Sequence, residues 1–297
     1  MARGTDFQTA FLAGASACHR HAAVDLATGL LRTLCDPSSH GPENRRSLIS
    51  IMPTTTPPYV AALSNVGEVS LMGAADLPFW TAHLADAGLA PAESQGKARL
   101  LVSASVAKFM GLGFAEFSVC VLVVPPVDCG WQDAAYLVHA FNSRRFFALC
   151  ERVLYSTPYY HGRIDVTPWF PPSVQVRSNA GTYRAALSIA GDPSPRLPSR
   201  SAAECWNGPV FLPPRPRPKR AGSVFFAKLQ GLTHAFPFVP ARDTVEITSA
   251  SAGSVFQMLI DSHFEGREWI VRDAAMHAKS RTYSAAHAME SYRPDGE

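Results

Sequence analysis

The chain of 297 residues is 47% hydrophobic and 17% charged, a composition that supports a buried core and excludes wholesale disorder. At roughly 100–200 residues per domain, the length allows one large domain or two. A net charge of +3 is too small to indicate a nucleic-acid partner, and the longest apolar run, Val119–Val124, is far short of the roughly 20 residues that span a membrane.

The N-terminus and the cysteines favour a cytoplasmic protein without a metal or cofactor. Met1–Leu34 has scattered arginines and histidines where a secretory signal needs an unbroken apolar stretch. The six cysteines are irregularly spaced, which favours free, mostly buried thiols. The Cys18-His19-Arg20-His21 segment offers adjacent metal ligands at most. The chain lacks a P-loop, a dinucleotide-binding motif and a G-x-S-x-G elbow, so we expect no nucleotide cofactor and no α/β-hydrolase.

The first 59 residues are predicted to be a helical or irregular segment, followed by a β domain over residues 60–297. Ala-rich Thr5–Leu34 favours one or two helices that end at the turn residues of Cys35–Pro42. Pro53–Pro58 predicts a loop, and Glu68–Met72 predicts a short strand. Asp76 then has the pattern of a helix N-cap, with Pro78 just inside and Gly88 as the end, which predicts a helix over Asp76–Ala87.

From Ala98 the hydrophobic period changes to two, which predicts a series of strands. A second helix is predicted over Ser143–Tyr155, where apolar residues cover most of the surface. Eight prolines between Pro193 and Pro218 predict an irregular excursion within residues 190–220; PPRPRP there could be an SH3 ligand or, more simply, a surface loop. The predicted strands are Ala98–Ser105, Phe114–Val124, Tyr136–Ala140, Pro158–Val166, Ser173–Arg177, Thr182–Ile189, Ser223–Leu232, Thr244–Ser249 and Glu268–Lys279.

Many strands, few helices and no βαβ alternation predict an α+β fold in which helices pack against a curved antiparallel sheet. Such a sheet, when it curves into a cone or closes like a barrel, can enclose a ligand cavity.

The segment RVLYSTPYYHGR, Arg152–Arg163, resembles the acetoacetate decarboxylase superfamily, most closely its YqjF-like branch. Decarboxylases of that superfamily carry an R-E-x-x-G-x-P-K-K segment after a helix. Aligning on Pro158 places Arg152 on the family arginine and puts Tyr159 and Tyr160 where the family has two lysines. The resemblance implies a cone of antiparallel sheets around a pocket for a small carbonyl or carboxylate compound.

Three further segments resemble the same family in order and spacing, over roughly Val66–Thr248. Met110–Val121 is similar to the strand that bears a pocket glutamate, here Glu116. Asp76–Leu89 resembles the helix before that strand. Lys228–Phe238 is similar to a late strand that ends in a histidine, here His234.

The family lysine forms a Schiff base with the substrate, and tyrosine cannot form an imine, so that route is lost at this strand position. Only five lysines are present in the chain. We expect Lys97 and Lys279 to be exposed, and Lys219 lies in the proline-rich loop. Lys108 and Lys228 remain as candidates for a relocated amine, or as strand lysines that reach solvent.

Strand alternation puts Tyr159, His161 and Arg163 on one face. The alternative to a pocket wall is an edge strand whose polar face meets water. Glu116 lies in the most apolar stretch of the chain, where a carboxylate is paired or has a raised pKa, unless its face of the strand is simply wetter. The predicted catalytic residues are His161, Glu116 and Tyr159, and the predicted substrate-binding residues are Arg163, Arg152, Tyr160, His234, Lys228 and Phe114.

We therefore expect a small-molecule enzyme that performs acid–base chemistry next to a carbonyl, as in decarboxylation, dehydration or cyclisation of a keto acid or polyketide-like compound. It would be a lyase or a cyclase of secondary metabolism. Its expected partner is a small carbonyl or carboxylate compound, and a homo-oligomer is compatible with the sequence. The alternative is a non-catalytic protein that binds a small metabolite in an apolar pocket lined by Phe114, Phe117 and Phe226.

Overall fold

A computed structural model describes residues 56–127, 129–178, 185–214, 222–250 and 252–292. The predictions for residues 5–34 and 35–42, and the segment 18–21, lie outside the described residues. The helices are α1 (Leu77–Leu84), α2 (Arg145–Leu154), α3 (Val255–Asp261) and α4 (Ala285–Ser291). The strands are β1 (Tyr59–Asp76), β2 (Glu93–Ser94), β3 (Lys97–Phe109), β4 (Leu112–Val123), β5 (Ala134–Asn142), β6 (Tyr159–Thr167), β7 (Ser173–Ser178), β8 (Ala185–Ala190), β9 (Arg200–Leu212), β10 (Ser223–Pro237), β11 (Thr244–Ser249), β12 (Glu265–Ser280) and β13 (Tyr283–Ser284).

Seven of the strands form a closed ring in the order β5-β4-β3-β1-β12-β10-β9. Strand β9 closes it, because it pairs with β10 along its length and with β5 at Ala135↔Val210 and Tyr136↔Phe211. All neighbours in the ring are antiparallel except β5 and β9. The predicted α+β fold of curved, mostly antiparallel sheet with a few flanking helices is therefore confirmed.

A second group of strands, β6, β7, β8 and β11, continues the sheet from β5. Strand β6 runs parallel to β5, and helix α2 makes the crossover between them. Parallel neighbours require such a crossover, so this is a βαβ unit, which the sequence did not predict. Helix α2 packs on β6 and thereby lies beside the ring.

The two faces of the ring strands have different environments. On β4, Phe117, Val119 and Val121 are buried in the main core together with Trp80 of α1 and Phe256 of α3. The alternate residues of β4 point to the other face, which lines the inside of the ring. Below, "ring interior" means this inner face of β5, β4, β3, β1, β12, β10 and β9.

The local predictions for the first two helices agree with the structure to within a few residues. The Asp76 carboxylate accepts a hydrogen bond from the Phe79 backbone N–H at 3.2 Å, as an N-cap should. After α1 a 3₁₀ turn, Ala85–Ala87, leads to Gly88 in the left-handed conformation (φ 66°), which ends the helix. Among the described residues, no helix is long and apolar enough to cross a membrane.

Several other predictions need correction. The predicted short strand 68–72 is the middle of the 18-residue strand β1. The predicted irregular excursion contains the 13-residue strand β9. Before Val210 the outer edge of β9 has no partner among the described residues, and such an edge tolerates Pro209. Helices α3 and α4, each of seven residues, were not predicted.

Candidate functional site

The ring interior carries polar side chains on three neighbouring strands. Register pairs Glu116 of β4 with Ser105 of β3, and Ser105 with Glu68 of β1. One step along, Ser118, Ser103 and Ser70 pair in the same way. Alternation therefore brings two carboxyl groups, separated by one strand, to the same inner face. Two glutamates this close on an inner face are stable when they differ in charge state or have separate partners.

Glu116 is a carboxyl group with a pKa near neutral pH. Burial raises the pKa of Glu116 to about 7, and the negative charge of Glu151 raises it as well. The charges of Lys279 and His277 and the hydrogen bond from Asn142 lower this pKa, but by less. The Asn142 amide donates to Glu116 Oε1 at 2.9 Å and fixes the orientation of the carboxyl group. A group with this pKa can both give and accept a proton at neutral pH.

Lys279 of β12 brings a positive charge into the ring interior. Its Nζ forms an ion pair with Glu151 of α2, which also accepts a hydrogen bond from Thr157 Oγ1 at 2.7 Å. Its ammonium group lies 4.8, 5.6 and 4.5 Å from the ring centroids of Tyr155, Tyr159 and Phe225. Only 17% of the side chain is exposed, so the expectation of an exposed Lys279 is wrong.

Tyr159 faces the same interior from β6. Burial raises its pKa well above the ordinary value, and Glu116 and Glu151 raise it further. The phenol therefore stays protonated at any physiological pH and can donate a hydrogen bond. It packs against an apolar cluster that includes Cys120 and Phe225.

Glu68 is the second interior carboxyl group, and its environment is the opposite of that of Glu116. It accepts hydrogen bonds from Arg272 Nη1 at 2.7 Å and Ser70 Oγ at 2.9 Å, and its other oxygen lies 2.9 Å from His277 Nε2. Burial would raise its pKa, but His277 and Arg272 outweigh this and hold it at about 2. Glu68 is thus an anion at neutral pH, and Arg272 is itself held by the hydrogen bond that its Nε donates to Thr233 Oγ1 at 2.9 Å.

Of the predicted catalytic residues, the structure brings Glu116 and Tyr159 together. His161 pairs in register with Asn142, so it lies near Glu116, but it is partly exposed and makes no hydrogen bond to any described residue. Arg163 is exposed and lies opposite Arg177 of β7, beyond the last residue pair between β5 and β6, Asn142↔His161. Arg163 therefore does not join Glu116 and Tyr159.

Arg152 and Tyr160 lie away from the ring interior. The Arg152 guanidinium lies 5.3 Å from the centroid of the Tyr160 ring, and that ring stacks on His139 at 4.7 Å. His139 in turn packs on Phe141 of the main core, and burial lowers its pKa to about 4. Strand alternation explains the result, since Tyr160 must face away from Tyr159.

The remaining predicted binding residues have other surroundings. His234 Nδ1 lies 2.8 Å from Ser201 Oγ on β9, on the face opposite Thr233. Lys228 alternates with Ala227, which is the partner of Lys279 in register, so Lys228 points outward. Phe114 is on the interior face of β4, where it contacts Phe147 of α2 edge-on at 5.1 Å.

Sequence analysis missed Lys279, His277, Glu68, Glu151 and Arg272 as site residues. One signal was available for two of them: His277 and Lys279 are polar residues on either side of Ala278 in β12, much as Glu116 stands between the apolar Ala115 and Phe117 in β4. Their partners lie 209 and 128 residues away in sequence, and no local pattern reports such contacts.

Two further features lie outside this cluster. Within the described ranges, no group of three His, Cys, Asp or Glu side chains is arranged to hold a metal ion. A depression of about 260 Å³ is lined by small and apolar residues and lacks ionisable groups, so it offers no acid–base chemistry. Its lining includes Gly88, Leu89, Phe211, Leu212, Ala285 and Met289.

Comparison with known proteins yields similarity at the level of the fold. No family model and no curated protein sequence matches the chain. An acetoacetate decarboxylase from Legionella pneumophila superposes with a TM-score of 0.50 and 11% identity, over 84% of this chain and 94% of that chain. The enduracididine biosynthesis enzyme MppR gives 0.49 and 13%, over 83% and 96%. An acetoacetate decarboxylase-like enzyme from Sphingomonas wittichii gives 0.46 and 10%, over 73% and 89%. The chain thus shares the fold of the Legionella enzyme, and a shared fold does not fix the chemistry.

Proposed function

We propose that the protein is a small-molecule enzyme that moves a proton next to a carbonyl group in the ring interior. The observation that carries the proposal is the Glu116 carboxyl group, whose pKa of about 7 suits proton transfer at neutral pH. A carboxyl group with this property, among partners of defined chemistry, is more typical of an active site than of a structural ion pair.

The neighbours of Glu116 supply the other requirements of such a reaction. Removing a proton next to a carbonyl leaves negative charge on the carbonyl oxygen, and a fixed donor or cation lowers the energy of that charge. The Tyr159 phenol is a neutral donor, and the Lys279 ammonium is a fixed cation whose Nζ lies 5.6 Å from the centre of the Tyr159 ring. We therefore assign proton transfer to Glu116 and oxyanion stabilisation to Tyr159 and Lys279.

The proposed reaction proceeds without an imine. An amine is nucleophilic only when it is unprotonated, and an ion pair favours the protonated form. Lys279 is paired with Glu151, whereas Lys108 is exposed and Lys228 points outward. Decarboxylation, dehydration and cyclisation can each begin with this proton transfer. We propose a keto acid or a polyketide-like compound as the substrate.

The test is exchange of protons next to a carbonyl. Pyruvate, 2-oxobutanoate and acetone would be incubated with the protein in D₂O, and loss of the methyl or methylene signal followed by proton NMR. We expect exchange above the buffer rate for at least one compound, rising as the pH passes through about 7 and Glu116 loses its proton.

The Glu116→Gln variant should lose about 10²–10⁴-fold in exchange rate, since that is the usual contribution of a positioned acid or base. Glu246→Gln, the same change at an exposed strand position on β11, is the matched control and should keep the wild-type rate. Exchange unaffected by Glu116→Gln would contradict the proposal. Saturable binding of these compounds without exchange would favour the alternative of a non-catalytic binding protein. The pocket of such a protein could not be lined by Phe117 and Phe226 as predicted, because both lie in the main core.

A further inference from the structure

A second ionisable side chain of the ring interior is held in a defined orientation. His277 Nε2 lies 2.9 Å from Glu68 Oε2, and 20% of the His277 side chain is exposed. Glu68 is only 1% exposed and is anchored through its other oxygen by Arg272 and Ser70. Because Glu68 is ionised at neutral pH, it can only accept a hydrogen bond, so the Nε2 atom of His277 carries the hydrogen.

The other ring nitrogen, Nδ1, is thereby left as the atom that exchanges its proton. It makes no hydrogen bond to any described residue. His277 is two residues from Lys279 on a regularly paired part of β12, so both side chains are on the interior face, about 7 Å apart along the strand.

His277 also lies within electrostatic reach of Glu116. Glu116 is in register with Ser105 and Ser105 with Glu68, so the two glutamates are two strand spacings apart, about 10 Å between their backbones. The His277 ring reaches from β12 to Glu68 on β1, and β1 lies on the side of β12 nearer to β4 in the sheet order. Consistent with this position, the charge of His277 lowers the pKa of Glu116.

We propose that His277, oriented by Glu68, is the second proton-transfer group of the ring interior and works opposite Glu116. This inference rests on the proposed function. In the forward direction the Glu116 carboxylate takes the proton from the carbon next to the carbonyl, and the electron pair of that C–H bond forms the new C=C bond. The carbonyl oxygen accepts the Nδ1 proton of the His277 imidazolium, which gives a neutral enol and a neutral imidazole.

Glu68 has the role of a positioning residue in this step, because it touches His277 and not the reacting atoms. Its hydrogen bond to Nε2 holds the ring with Nδ1 free. The other charged groups on this face are Arg272, Lys279 and Glu116. Arg272 is paired with Glu68 at 2.7 Å and lies 3.7 Å from Glu204, and Lys279 is paired with Glu151.

The first measurement needs no substrate. Long-range ¹H–¹⁵N correlation spectra of the uniformly labelled protein should show neutral His277 with the proton on Nε2, and the His277→Gln spectrum assigns the signals. A neutral form protonated on Nδ1 would overturn the orientation that the proposal requires. This measurement stands even if Glu68→Gln does not fold.

The second measurement is the pH profile of the exchange reaction. The wild-type rate should rise as the pH passes through about 7, where Glu116 loses its proton. His277→Gln should reduce the maximal rate by about 10²–10⁴-fold. Glu68→Gln should reduce the rate as well, and its long-range spectrum should lose the preference for the form protonated on Nε2, because the His277 ring loses its anchor. His287→Gln, the same change at an exposed residue of α4, should match the wild type.

The outcomes separate the two proposals. If the wild type exchanges, Glu116→Gln abolishes exchange and His277→Gln leaves the maximal rate unchanged, the role of His277 is refuted while the proposed function stands. If the wild type catalyses no exchange at any pH, the proposed function fails and the role of His277 fails with it.

Discussion

Replacing Glu116 with Gln should make the protein more stable at alkaline pH and leave it nearly unchanged in acid. The folded state holds the pKa of Glu116 at about 7, against an ordinary value of 4.5, so it binds this proton more tightly than the unfolded chain does. Stability is therefore lost as the pH rises from about 4.5 through 7. At about 1.36 kcal/mol for each pKa unit, the full loss is up to about 3 kcal/mol, and Gln, which has no proton to lose, avoids it.

The assay is urea unfolding of the wild type and Glu116→Gln between pH 4.5 and 8.5. The free energy of unfolding of the variant should exceed that of the wild type by up to about 3 kcal/mol at pH 8.5, and the difference should shrink to near zero at pH 4.5. Gln can still accept the Asn142 hydrogen bond, so packing changes little. Glu246→Gln on exposed β11 is the control and should show no such trend. A constant difference across the pH range would refute the reasoning.

Glu68→Gln should show the opposite trend in the same urea series: about 3 kcal/mol less stable at pH 7, with a loss that shrinks as the pH falls from 4.5 towards 2, because the pKa of Glu68 is held at about 2. An equal loss at both ends would contradict this. Asp243→Asn should lower the unfolding free energy by about 3–5 kcal/mol in urea at pH 7, since it leaves the buried Arg196 guanidinium without its anion; an unchanged midpoint would be inconsistent with a buried pair. Incubation with pyruvate and borohydride should add no mass to the protein, because the Lys279 Nζ is ion-paired with Glu151. A peptide carrying an adduct at Lys279 would show that the amine is nucleophilic.

The parts of the fold that were predicted from the sequence depend on short-range patterns. The N-cap at Asp76, the apolar surface of α2 and the alternation along β3 and β4 all lie within one element, so the physical signal is complete in the local sequence. Closure of the ring is different. It depends on Ala135 pairing with Val210, and neither segment carries a mark of its partner. The prolines around β9 predicted a loop. The strand forms nevertheless, because its pairing with β10 and β5 outweighs the prolines, and that pairing is not visible in the local sequence.

The site divides in the same way. Glu116 was recognised because a carboxyl group in an apolar strand is unusual wherever that strand is. Lys279 was expected to be exposed, but β12 lies between β1 and β10 in the ring, and only the folded chain shows that this lysine is on the interior face. His277 and Glu68 are separated by 209 residues, so the contact that orients the histidine exists only in the folded chain.

Tyr159 stands at the strand position where the resemblance to acetoacetate decarboxylases would place a lysine. There the family resemblance implies a lysine on the interior face, and this chain has a phenol instead. A lysine nevertheless reaches the same interior from β12, with its Nζ 5.6 Å from the centre of the Tyr159 ring. That Nζ is ion-paired with Glu151, an arrangement that favours an ammonium ion over a nucleophilic amine. A cation and a neutral phenol can stabilise an enolate but cannot form an imine, which agrees with the proton transfer that we propose for Glu116.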